Sequence, residues 1–344
     1  MTKYLIRRLL QAIPLLFIVS IIIFVLLHES GDPLASMGGR KPPRSEDRER
    51  LRQALGLNDP IYVQYVYWLI GNDWANIDVD GDGINDPLSD RKKYEIRYGI
   101  LRGDFGESMR THQPAMELVW ERLPNTLILM LTAEVVIITL SLAIGIYAAL
   151  RPYSKTDNVL TTLAFVFYSM PVFWIALMLM YIFAVNLDWF PTVGMYDPSE
   201  GKTVVQVAWH MVLPVTTIAL IPVAADSRYI RSAMLDVVNS DYIRTARAKG
   251  LTENRILYLH ALKNASLPLV TLLGLELPFL LAGAVVTERI FSWPGMGRLF
   301  LTSLGRSDFP VLMGLLMMIS FAVIMFQILT DIVYAWIDPR IRYN

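Results

Sequence analysis

Three groups of residues in this 344-residue chain have types and spacings that can do chemistry. The first is a run of aspartates. Asp78, Asp80, Asp82, Gly83 and Asp86 spell D-x-D-x-D-G-x-x-D. Hard divalent cations such as calcium take several oxygens at about 2.3–2.6 Å. Alternating aspartates in a tight turn aim their carboxylates at one centre, Gly83 permits the sharp turn, and Ile84 can add its backbone carbonyl. The pattern predicts a calcium site made of Asp78, Asp80, Asp82, Ile84 and Asp86, with a structural rather than a catalytic role. Ser89 stands where a full twelve-residue loop carries a bidentate acid, and Asp90 follows one residue late. Either Asp73 or Asp90 completes the shell, or the affinity is low. The alternative is an acidic, solvated turn.

The second group is two isolated carboxyl groups in apolar surroundings. Glu276 is the only acid between Asn264 and Thr287, and Glu134 the only one between Leu123 and Leu150. Charges inside a membrane usually face a bundle interior or a cavity. Glu276 is therefore a candidate for a translocation path, where a carboxylate attracts an amino group or a cation, and Glu134 is a weaker one. The alternative for both is a structural carboxyl group paired with a neighbouring helix or neutral. The third group is a basic stretch, Arg228 to Lys263, with apolar residues at helical spacing: Ile243, Ala246, Ile256, Leu259 and Leu262. Gly250 interrupts it as a glycine just past a helix end does, and Thr252 follows as an N-cap. This predicts a helix–turn–helix on the membrane surface, fit to meet anionic lipid or another protein's groove.

Composition removes much else. There are no cysteines, so thiolate catalysis, thiolate metal sites and disulfides are excluded. Lys+Arg and Asp+Glu are both 31, a balance that points to no nucleic-acid partner. Charged residues make up only 18% of the chain, hydrophobic ones 54%, and mean hydropathy is +0.42. No G-x-x-x-x-G-K-[ST] phosphate loop occurs anywhere.

The apolar residues gather into runs long enough to cross a bilayer, which takes about 20 residues. Six spans are predicted: 9–28, 123–150, 158–187, 203–225, 264–287 and 309–330. Lys3, Arg7 and Arg8 before the first run resemble a secretory signal, but the run is long and no small-x-small site follows, so it is kept as a helix. Arg151, Lys155, Arg228, Arg231, Arg244, Arg247, Lys249, Arg255, Lys263, Arg340 and Arg342 join the N-terminal cations on one side, whereas the short opposite loops hold only Lys202, Arg289, Arg298 and Arg306. The bias places both termini in the cytoplasm of a multi-pass protein of the cell membrane. Trp189, Trp209, Trp293 and Trp336 fall near span ends, as interface anchors or as core residues. Asp226, Glu288 and Asp331 fall there too and read as interfacial. The chain thus divides into an N-terminal helix (1–28), an extracytoplasmic segment (29–122) and a five-helix core (123–344) with a cytoplasmic loop at about 228–263. The outer segment holds a short amphipathic helix at 46–57, an apolar stretch at 61–70 that lies in the interface or packs on the spans, and the Asp-rich insertion at about 72–97.

Several stretches resemble a known family. Tyr242–Leu251 (YIRTARAKGL), followed by His260-Ala261-Leu262-Lys263-Asn264-Ala265, looks like the cytoplasmic loop of ABC-importer permeases of the oligopeptide/dipeptide/nickel class. That loop ordinarily follows E-A-A-x-x-x-G-x9-I-x-L-P. This chain keeps Ala246, Gly250 and Leu262 but has Arg244 and Thr245 for Glu and Ala, and lacks the Ile and Pro. These departures are those of the peptide branch. Further likeness lies in Tyr4–Leu9, Gly31-Asp32-Pro33, Leu55-Gly56-Leu57, Arg102–Ser108, Arg122-Leu123-Pro124-Asn125-Thr126, Phe291–Gly297, Arg306–Pro310 and Asp338-Pro339-Arg340. The long segment after the first span suggests the B-type subunit. The Asp-rich insertion lies outside the family pattern and resembles EF-hand, dockerin and thrombospondin-type calcium loops.

The resemblance implies an all-α, six-span type I permease fold and a transport subunit rather than an enzyme. Its implied partners are a C-type permease paralogue, two cytosolic ATPases, an extracytoplasmic binding protein and membrane lipid. Tyr242, Arg244, Ala246, Arg247, Lys249, Gly250 and His260 would form the segment that couples to an ATPase. There Ala246 allows close approach, Gly250 makes the turn, and the cations face ATPase carboxylates or lipid headgroups. The competing readings are a secondary transporter, for which no internal repeat is visible, and an intramembrane enzyme, for which no nucleophile–base or paired-aspartate motif is visible.

Overall fold

The architecture is that of a computed structural model, which describes residues 2–32, 34, 45–77, 86–90, 96–238, 240–256 and 284–337. Among these residues there is no strand. The ordered elements are helices, with isolated bridges at Ile77–Asp86 and Glu107–Pro114. Among the described residues four helices are long and apolar enough to cross a membrane, and a bent pair makes a fifth crossing if counted as one. The fifth stretch of the sequence reading, 264–287, lies outside the described residues except for its last turn.

The chain forms two compact units. One comprises Ile6–Pro124 and Leu299–Phe321. Here α1 (Thr2–Glu29) is followed by α2 (Ser45–Ala54) and α3 (Ile61–Ile70). α3 carries no charged residue and packs on α1. Ser20 Oγ and Tyr65 OH lie 2.8 Å apart, and Phe17 and Phe24 meet the Tyr65 ring edge-on. A polar group in an apolar helix needs such a partner. Asp32 beyond α1 accepts Arg48 at 2.6 Å and Arg52 at 2.7 Å, which ties the Gly31-Asp32 turn to α2. Ser108 Oγ donates to Asp308 Oδ2 at 2.5 Å, and the Met109 N–H donates to Oδ1 at 3.2 Å. The Asp308 carbonyl in turn receives the Leu312 N–H as the last helix begins. Two stretches singled out in the sequence, 102–108 and 306–310, are therefore partners.

The other unit comprises Met1–Leu5, Asn125–Arg298 and Ala322–Asn344. Within it run most of α4 (Ala115–Leu150), α5 (Lys155–Ser169), α6 (Val172–Leu179) continuing into a π-helical turn at Met180–Asn186, and α7 (Val204–Val238). Leu129, Ala133 and Ile137 recur at i, i+4 and i+8 on α4, and they bury against Ile218, Ala219 and Val223 of α7 and against Trp293. Trp293 is therefore a core residue, not an interface anchor. Its indole N–H donates to the Asn125 carbonyl at 2.9 Å.

The third span departs from the simple expectation. α5 and α6 meet at an angle of 109°. The cause is local: Pro171 lacks an N–H and pushes Met170 out of the helical region, to φ −89 and ψ 137. The fourth span also differs. α7 passes through Pro214 and Pro222 and continues to Val238, so Arg228 and Arg231 lie on helix and not in a loop. At 35 residues it is about 52 Å long, beyond the roughly 30 Å of a bilayer's hydrocarbon. Asp226, read as interfacial, is 2% exposed in consequence.

Two short helices follow, α8 (Asp241–Ala248) and α9 (Glu253–Arg255). Residues 284–290 are helical, then come α10 (Met296–Leu304) and α11 (Phe309–Ile337).

Candidate functional site

Of the basic stretch, the part up to Val238 belongs to α7, Asp241–Ala248 forms α8 and Glu253–Arg255 begins a second short helix, while 257–263, with Leu259 and Leu262, lies outside the described residues. α8 presents Ile243 and Ala246, 0% and 7% exposed, to Ile230 and Met234 of α7, to Ala149 at the end of α4, and to Ile256. Ala246 thus faces inward, in contact within the chain. The opposite face carries Tyr242, Arg244, Thr245, Arg247, Lys249 and Gly250, all exposed.

Gly250 has φ +76, a conformation that L side chains resist, and its N–H reaches the Arg247 carbonyl at 2.9 Å. Thr252 has the extended backbone of an N-cap, although its side chain makes no capping hydrogen bond. Across the turn Arg247 grips Glu253, with Nε to Oε1 at 2.8 Å and Nη2 to Oε2 at 3.3 Å. That hydrogen-bonded guanidinium holds the Glu253 carboxyl below its usual value. Arg247 thus has a partner within the turn, in a pair that is itself 44% and 70% exposed. Arg244 keeps only a 3.6 Å contact with Asp241, 72% and 98% exposed, which is worth little in water.

A second site was invisible in the sequence except as two separate motifs. Glu288, read as interfacial, is 0% exposed. Its Oε1 accepts from Thr126 Oγ1 at 2.7 Å and its Oε2 from the Arg298 N–H at 3.0 Å. Thr126 Oγ1 also accepts the Met296 N–H at 2.8 Å, and Asn125 Nδ2 donates to the Pro294 carbonyl at 2.9 Å. A Cβ at Gly295 would run into the Glu288 carboxylate, which accounts for the glycine. The Asn125-Thr126 pair and the 291–297 turn are thus two halves of one network.

Of the other sequence candidates, Asp78, Asp80, Asp82, Ile84, His260 and Glu276 lie outside the described residues. Asp86 is described: its N–H donates to the Ile77 carbonyl at 2.9 Å, closing the base of the Asp-rich segment. No cluster of three or more metal-ligating side chains occurs among the described residues. Glu134 is 7% exposed, and its Oε2 has no hydrogen-bond partner.

Comparison with known proteins follows the same lines. A family model described as binding-protein-dependent transport system inner membrane component matches residues 141–343. A companion model for the N-terminal part of such components matches residues 1–80. The oligopeptide transport system permease protein AppB of Bacillus subtilis is 41% identical over 345 residues, covering 100% of both chains. The dipeptide transport system permease protein DppB of Escherichia coli is 33% identical over 366 residues, again with both chains covered in full. Among solved structures, a methionine ABC transporter in inward facing conformations matches 65% of this chain and 97% of its own, with a TM-score of 0.52 at 17% identity. That likeness supports the fold.

Proposed function

This chain belongs to the family of binding-protein-dependent transport system inner membrane components, and on that premise we propose that it passes peptides or related small solutes. It is a membrane-embedded permease subunit of an ATP-driven importer and not itself an enzyme. Such permeases work with ATPases and a substrate-binding protein. The secondary-transporter and intramembrane-enzyme readings find no support among the relatives. The observation that carries the peptide reading is similarity to oligopeptide and dipeptide permeases along the whole chain.

In this proposal α8 and the Gly250 turn face an ATPase in the cytoplasm. Tyr242, Arg244 and Lys249 offer the contact surface, Arg247 braces the turn, and His260 extends the segment. The second pore subunit is a C-type paralogue. Glu276 faces the path as an attractor for a substrate amino group. The Asp-rich segment takes calcium, a reading supported by the D-x-D-x-D-G pattern and by the Ile77–Asp86 closure at its base. Calcium that raises the melting temperature of the purified chain where equal magnesium does not would support that site; no difference would remove it.

The decisive experiment is purification of the chain from its native membrane in mild detergent, with mass spectrometry of what accompanies it. Two ATPases, a second permease and a binding protein are expected. A chain that comes down alone, and whose uptake survives Gly250→Asp, would overturn the coupling reading. Because the chain has no cysteine, Lys249→Cys gives a single label site, expected to react only from the cytoplasmic side.

A further inference from the structure

We propose that Arg231 and Asp157 are positioning residues that transmit displacement of α8 to the bent span α5–α6, and so set how much transport accompanies each ATPase cycle. The inference rests on the coupling reading above. The side chain of Asp157 is 2% exposed. Arg231 approaches it as a fork, with Nε to Oδ1 at 2.8 Å and Nη2 to Oδ2 at 2.7 Å. Such a bidentate pair allows one geometry, whereas an apolar contact can slide. Asp157 is also built into the start of α5. Its N–H donates to the N-cap Ser154 Oγ at 3.1 Å, and its Oδ2 accepts the Tyr153 N–H at 2.8 Å. A pull on the carboxylate is therefore a pull on the first turn of α5. One turn away on α7, the Arg228 guanidinium carbon stands 3.9 Å from the Phe165 ring centroid, a second hold on the same helix.

The residues on either side of Arg231 complete the path. Ile230 and Met234 pack on Ile243 and Ala246 of α8. A single stretch of α7, Ile230–Met234, thus touches α8 through apolar side chains and α5 through an ion pair. α7 is one unbroken helix over that stretch. The far end of α5 is the 109° bend, where a rigid displacement of the helix has to be absorbed. Removing either charge leaves the other without its compensation, and for Asp157 in a site shielded from water.

The test uses the complete importer, with its ATPases and binding protein, in proteoliposomes. Radiolabelled tripeptide uptake is divided by ATP hydrolysed for the wild type, Arg231→Gln, Asp157→Asn, Arg231→Lys and the exchanged pair Arg231→Asp/Asp157→Arg. The single neutral variants should lower uptake per ATP by about tenfold while hydrolysis continues. The exchanged pair should recover most of the loss, and Arg231→Lys should fall between. An unchanged ratio overturns the proposal. So does a proportional fall of uptake, hydrolysis and assembled complex without recovery in the exchanged pair, because that is a structural role only. A wild-type complex that hydrolyses ATP but takes up no tripeptide would overturn the peptide-import reading itself, a result distinct from variants that leave an active ratio untouched.

Discussion

Thr126 and Glu288 stand 162 residues apart in sequence and 2.7 Å apart in the fold, hydroxyl to carboxylate, with both side chains buried. The same hydroxyl oxygen accepts the Met296 N–H. One threonine therefore orients an acid and the start of α10 together. Thr126→Val keeps the shape and deletes both hydrogen bonds. A buried acceptor stripped of its donor costs about 1–3 kcal/mol. The expected outcome is an earlier thermal transition in the fluorescence of the purified protein, to which the fully buried Trp293 contributes. Thr126→Ser should retain most of the stability.

α4 packs tightly on α7 at Gly145. A Cβ there would lie 2.7 Å from Ile230 Cβ and 2.7 Å from the Ser227 carbonyl oxygen. Gly145→Ala should therefore destabilise the purified protein, and Gly145→Val more so, by about 1–3 kcal/mol for an overpacked core. Thermal inactivation in detergent reads the order. Wild-type stability in the valine variant would show that the two helices separate at little cost.

Gly250 differs from Gly145 in kind. It has φ +76 but nothing within 4 Å of its Cβ position. Space does not forbid a side chain; backbone conformation does, at about 1–2 kcal/mol per residue. Uptake by the complete importer should then follow Gly, Asn, Ala, Val in falling order, because Asn tolerates the left-handed region best among the substitutes. A valine variant with undiminished uptake would show that the turn conformation is dispensable.

The Arg247–Glu253 pair predicts a pH dependence. Its hydrogen bond to Arg247 lowers the folded-state value of Glu253 below 4.5. The pair's contribution is thus fully present above the unfolded value and fades as pH falls through the lower, folded one. No change is expected between pH 7 and the unfolded value of about 4.5. A carbon-13 titration of Glu253 should show its midpoint below that value in the wild type and back near it in Arg247→Gln. Equal midpoints would mean that the pair does not persist in solution.

Several features were legible in the sequence because they depend on near neighbours. Apolar runs mark the long helices among the described residues, since a helix in hydrocarbon must be mostly apolar and satisfies its backbone hydrogen bonds internally. The i, i+3 spacing of Ile243 and Ala246 marks the buried face of α8. The bend at Met170–Pro171 was also within reach, because Pro171 restricts its own backbone and that of the residue before it. The Ser154-x-x-Asp157 cap belongs in the same class.

The unread features are pairings between distant segments. Thr126 with Glu288, Ser108 with Asp308 and Arg231 with Asp157 join residues separated by 162, 200 and 74 positions. Asn125-Thr126 and the 291–297 turn were visible as motifs, yet nothing in either names the other. Hydrophobic periodicity tells which side of a helix is buried but is silent about its partner, because burial is non-directional. A hydrogen bond specifies both atoms, and only the packed helices bring them within reach. The sequence by itself thus determined the all-helical, membrane-embedded class of the protein and the buried face of α8. The tertiary structure decided that Ala246 faces inward, that Arg247 is already paired, and that buried acids, not interfacial ones, fasten the turns between helices.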